Sequence, residues 1–93
     1  MPMSSMSWDV NVGWLDIGAA SDAFLSSCGP KVHLLSVEVS RPEIREVAAF
    51  FWFEHHPPVH SSIVARCASP RLVKRIFQAM GDQARRSAEE WTR

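Results

Sequence analysis

Three imidazoles and a carboxylate fall within seven residues at Glu54, His55, His56 and His60, separated by Pro57, Pro58 and Val59. Such groups suit zinc, which takes three or four nitrogen, sulfur or oxygen ligands held tetrahedrally. Cys67 or His33 could complete a set. The spacing follows no standard metal motif, and the two prolines exclude a helical i, i+4 pair from His56 and His60. A solvated, histidine-bearing turn is the simpler expectation, and no cofactor is implied. Histidines titrate near neutral pH, so a turn of this kind at an interface would make assembly pH-sensitive.

Nucleophilic chemistry has less support. Four glycines in 93 residues form no phosphate-cradling loop or dinucleotide fingerprint, and no nucleophile elbow or His-Glu-x-x-His helix is present. Cys28 and Cys67 could approach His33 or His55 in space, but neither cysteine has a local signature of activation. Both read as small buried thiols, reduced because no export signal precedes them. The balance leans away from an enzyme.

The run Phe50-Phe51-Trp52-Phe53 is more informative. Consecutive side chains alternate across a strand and step ~100° around a helix, so four large rings in a row must point in opposing directions. Burying each is worth about 1.5–3 kcal/mol, and so short a chain has few elements with which to cover both sides. The expectation is a small non-catalytic binding or accessory protein. It would act as a homodimer through an aromatic surface made by Phe50, Trp52 and Phe53, with His55, His56 and His60 at the rim; a small-molecule or protein ligand is the variant of this reading.

Charge points to a second reading. The net charge is zero, yet residues 1–60 carry seven acidic and three basic side chains and residues 61–93 the reverse. Arg71, Lys74, Arg75 and Gln78 recur on one side of the last helix and would suit phosphate contacts. A nucleic-acid-binding regulator is therefore an alternative, though zero net charge does not favour it. A small metal-dependent or ligand-binding enzyme-like domain using the histidines is the other.

These groups need elements to hold them. Apolar residues make up 46% of the chain and charged residues 22%, the balance of a globular domain rather than a disordered one. The longest apolar run, residues 47–53, is far short of the ~20 needed to span a membrane. The cytoplasm is the default expectation. Residues 1–7 read as a flexible leader and 8–93 as one domain.

Alternation over residues 8–17 predicts a strand, with Gly13 marking a bulge. A short helix is expected over 19–27, stopped by Cys28-Gly29-Pro30. Residues 31–39 predict a strand with Leu35, Val37 and Val39 on one face. Ser40-Arg41-Pro42-Glu43 has the form of a capping box, predicting a helix from Arg41 with Ile44, Val47, Ala48 and Phe51 at helical spacing. Residues 49–55 fit either helix or strand, and 60–68 fit a strand.

At the end of the chain, Ser69 as N-cap and Pro70 in the first turn open an amphipathic helix. Leu72, Val73, Ile76, Phe77, Met80, Ala84, Ala88 and Trp91 form its apolar side, and Gly81 is expected to kink or split it. The fold class that follows is α+β: a small, mostly antiparallel sheet packed against a long C-terminal amphipathic helix and a shorter capped helix.

Overall fold

The computed structural model describes residues 13–54 and 60–91. It consists of helix α1 (Ile17–Cys28), strand β1 (Val32–Arg41), strand β2 (Glu46–Phe53), strand β3 (His60–Arg66) and helix α2 (Val73–Trp91). The strands form an antiparallel sheet in the order β1-β2-β3. Both helices pack on one side of it, which is the α+β arrangement expected.

Helix α1 starts where the Asp16 carboxylate accepts a 3.0 Å hydrogen bond from the Ala19 amide. It stops at Gly29, whose φ of 76° suits glycine and almost no other residue. The expected strand over 8–17 does not form in its described part: Gly13 is helical, Trp14 is in a turn, and Leu15 and Asp16 lead into this helix. Its period-two pattern yields to the Asp16 cap.

Helix α2 is preceded by a 3-10 turn, Pro70–Leu72, with the Ser69 hydroxyl accepting from the Arg71 amide as a cap. The helix runs through Gly81 without a break. That glycine serves the crossing with α1, where a Cβ would collide with the Phe24 carbonyl oxygen and the Ser27 hydroxyl. Ser27 Oγ donates to the Gln78 carbonyl at 2.7 Å across the same crossing. The residue permits close approach rather than a kink.

The core lies between helices and sheet. Phe24, Phe77, Met80, Ala84 and Ala88 from the helices meet Val32, Val37, Val47, Ala49, Phe51 and Phe53 from the strands. Phe51 is its hub, 5.7 Å from Phe24 and 5.6 Å from Phe53 between ring centroids.

Two expectations need correction. No helix starts at Arg41. A 3-10 turn, Pro42–Ile44, leads to Arg45 at φ 52°, and β2 begins at Glu46. Ser40 does not cap a helix: its hydroxyl bonds Glu46 Oε2 at 2.9 Å across the hairpin. The left-handed Arg45 is held by Cys67 N–H donating to its carbonyl and by its own guanidinium donating to the Ala68 carbonyl. Val47 to Phe53 then belongs to the central strand. A strand covered on one face and flanked on both edges tolerates a continuous apolar run that looks helical in isolation.

Leu35 is the second correction. A register shift between Leu34 and Ser36 makes it the extra residue of a bulge. Val32, Leu34, Val37 and Val39 therefore belong to the core side, and Leu35 is left 49% exposed.

Candidate functional site

Among the described residues, the sheet has one face under the helices and one that neither helix covers. On β2 the odd positions Val47, Ala49, Phe51 and Phe53 are buried under the helices, and the even positions Ala48, Phe50 and Trp52 lie on the open face. Pairing fixes what stands beside each. Trp52 lies opposite His33 on β1 and His60 on β3; Phe50 lies opposite Ser36 and Ser62; Ala48 lies opposite Glu38 and Val64; Glu46 lies opposite Arg41 and Arg66.

The consequence for burial is direct. Phe50 is flanked by two serines, too short to shield a phenyl ring, and stays half-buried. Trp52 is stacked by the His33 imidazole, with centroids 4.3 Å apart and planes 21° from parallel, and it too stays half-buried. Leu35 at 49% and Val64 at 54% exposure extend the apolar surface to both edge strands. Phe50, Trp52, Leu35 and Val64 all keep exposed surface, whereas Ala48 between them is fully buried by its neighbours.

Charge sits at the two ends of this stripe. At one end His33 Nε2 lies 3.2 Å from Glu54 Oε1. At the other, Arg41 Nε approaches Glu46 Oε2 at 4.0 Å, and Arg66 Nε donates to the Ile44 carbonyl at 3.3 Å. Glu38 is exposed along the β1 edge.

Of the residues expected to make an aromatic surface, Phe50 and Trp52 are brought together on the open face and His60 is exposed beside Trp52. Phe53 is not. Its odd position turns it under the helices, where it is 5% exposed. His55 and His56 lie outside the described residues. Reasoning from the sequence did not place His33, Leu35 or Val64 beside the aromatic surface. Strand pairing places His33 and Val64 on the same face as Phe50 and Trp52, and Leu35, the unpaired residue of the bulge next to Ser36, is exposed.

Among the described residues, no group of three or more His, Cys, Asp or Glu side chains is placed to hold a metal ion. Cys28 and Cys67 are free and buried. Burial pushes both thiols above their ordinary pKa, against weaker opposing hydrogen bonds, which disfavours the nucleophilic thiolate. A notch of about 140 Å³ is lined by Cys28, Pro30, Lys31, Arg85, Ala88 and Glu89, and wider, more open clefts lie elsewhere, among them one of about 490 Å³ beside Glu43, Ile44, Arg45, Arg66 and Ala68.

Arg71, in the 3-10 turn before α2, and Lys74, Arg75 and Gln78 in its first turns are all exposed. The later arginines of the helix are engaged with neighbours: Arg85 with Asp82 and with Glu89 at 3.1 Å, and Arg86 with Asp82 at 3.3 Å. No helix among the described residues is long and apolar enough to cross a membrane.

In comparisons with known proteins, no family model, curated protein or solved structure matches the chain.

Proposed function

We propose that this is a small non-catalytic binding or accessory protein that acts as a homodimer, and that the open face of its sheet is the contact surface. The observation that carries this reading is the placement of Phe50 and Trp52 on the central strand, half-buried and bordered by exposed Leu35 and Val64. Large apolar groups gathered on a sheet face that neither described helix covers are the kind of patch that marks an interaction surface. Their chain has spent two of its four consecutive rings on the core and left two outside it. A second copy brings the same surface and needs no further partner to hide it.

Sedimentation equilibrium from low to high micromolar concentration tests the reading. A monomer–dimer equilibrium is expected, shifted toward monomer by Trp52→Ser. A single monomeric species throughout the range would defeat it.

One observation favours a second reading, that of a nucleic-acid-binding regulator. Arg71, in the 3-10 turn before α2, and Lys74, Arg75 and Gln78 in its first turns stay exposed, whereas Arg85 and Arg86 are tied into ion pairs with acidic neighbours. Salt-sensitive retention on heparin that weakens in Arg71→Ala/Arg75→Ala would support it. Indifference of retention to that pair of substitutions would remove it.

A further inference from the structure

Where the β1–β2 turn meets the end of β3, a cleft of about 490 Å³ is bordered by Glu43, Ile44, Arg45, Arg66 and Ala68. Among the described residues, neither of its two arginines forms an ion pair. We infer that this cleft binds a phosphoryl dianion, as the free ion or as a phosphate ester, between Arg45 and Arg66. The site uses neither the open face of the sheet nor the α2 side chains on which the two readings above rest.

Each guanidinium is held by a backbone carbonyl instead of a carboxylate. Arg45 Nη1 donates to the Ala68 carbonyl at 2.6 Å, and Arg66 Nε donates to the Ile44 carbonyl at 3.3 Å. Either bond uses one of five N–H groups and leaves the positive charge uncancelled. An anchored head also loses less freedom on meeting a ligand than a free surface arginine does. The carboxylate best placed to cancel Arg66 is that of Glu46, its cross-strand neighbour. Glu46 Oε2 is instead bonded by the Ser40 hydroxyl at 2.9 Å, with Arg41 Nε 4.0 Å away.

Arg45 is the more telling of the two. Its φ of 52° lies in the left-handed region, where glycine or asparagine is the usual occupant. Turn geometry alone does not call for arginine there; what the position gains is a cation on the wall of the cleft.

The surrounding charge has the same sign. Residues 41–46 and 66–75, which meet at this corner, hold Arg41, Arg45, Arg66, Arg71, Lys74 and Arg75 against Glu43 and Glu46. Such an excess draws anions toward it. Two guanidiniums supply two charges and several donors, which suits the two charges and three terminal oxygens of a phosphoryl group better than a single carboxylate. Glu43, exposed on the same wall, opposes the anion and keeps its binding weak.

Titration of inorganic phosphate into the isotope-labelled protein at low ionic strength, followed by NMR, tests the site. Phosphate should shift the Arg45 and Arg66 side-chain Nε–H signals saturably, and acetate at equal ionic strength should bind more weakly. Arg66→Ala and Arg45→Gly should each weaken phosphate by about tenfold or more. Glycine suits the backbone at position 45, and urea unfolding of both variants confirms that the fold survives. Glu43→Gln should tighten binding. Arg75→Ala removes the same charge from α2 and should change the affinity by less than about twofold. Phosphoserine run beside inorganic phosphate distinguishes the sources: tighter binding of either supports the inference and says whether the group arrives esterified or free. Equal weakening by Arg75→Ala would mean diffuse attraction and overturn the inference. So would phosphate binding that persists in folded Arg45→Gly and Arg66→Ala, or the absence of a saturable shift at the two arginines.

Discussion

The two sides of β2 carry side chains of similar chemistry with different surroundings. Val47, Ala49, Phe51 and Phe53 meet Phe24, Phe77 and Met80, and none exceeds 5% exposure. Ala48, Phe50 and Trp52 meet serines, histidines and the edges of two short strands, and the two rings remain half-bare. Hydrophobicity alone therefore does not decide what is core. The number of elements available does, and two helices suffice for one face of a three-stranded sheet.

The largest expected effect contrasts adjacent rings. Phe51→Ala removes the hub of the core and should cost about 3–5 kcal/mol of stability in urea unfolding. Phe50→Ala leaves no enclosed cavity and should cost roughly 1 kcal/mol at concentrations where the chain is monomeric. Equal losses at the two positions would mean that the open face is covered in solution by the chain itself.

The tightness of the helix-covered side can be tested at the crossing of α1 and α2. Alanine normally gains about 1 kcal/mol over glycine inside a helix. At Gly81 the added methyl meets a carbonyl oxygen and a hydroxyl, and overpacking of this kind costs about 1–3 kcal/mol. Gly81→Ala should therefore lower the unfolding midpoint, and a raised midpoint would show that the helices can separate freely.

The smallest effect belongs to the solvent side of α2, away from both sheet faces. The Arg85 hydrogen bond, with help from the Arg86 charge and against some desolvation, holds the Asp82 carboxyl below its usual range. A depressed folded-state pKa contributes stability that is present above the unfolded value of ~3.9 and fades as pH falls through the folded one. Asp82→Asn should flatten the acid end of the stability profile slightly, below about pH 4, and leave the concentration dependence of association unchanged. A steeper acid limb in the variant would contradict this assignment.

Where local signals were strong, the sequence was legible. Ser69-Pro70 and the apolar side of α2, the Gly29 stop of α1, and the alternation of β3 all lead to the elements observed. Between Ser40 and Phe53 local patterns misled. Val47, Ala48 and Ala49 are all fully buried, so their strand lacks the polar–apolar alternation that would announce it, and a capping-box pattern supplied a competing reading. Leu35 was misplaced because a bulge reverses the parity of everything after it. The candidate surface was half legible. That the rings must diverge follows from their adjacency, but which ring goes outward depends on the register of β2, which only pairing with β1 and β3 fixes.

A dilution series followed by two-dimensional NMR tests most directly whether the two faces of β2 differ as described. On going from high to low micromolar concentration, resonance shifts should concentrate at Ala48, Phe50 and Trp52 and at His33, Leu35 and Val64 beside them, with Phe24, Phe51 and Phe77 little changed. Spectra that do not change with concentration, or changes centred on Arg71, Lys74 and Arg75, would contradict the account.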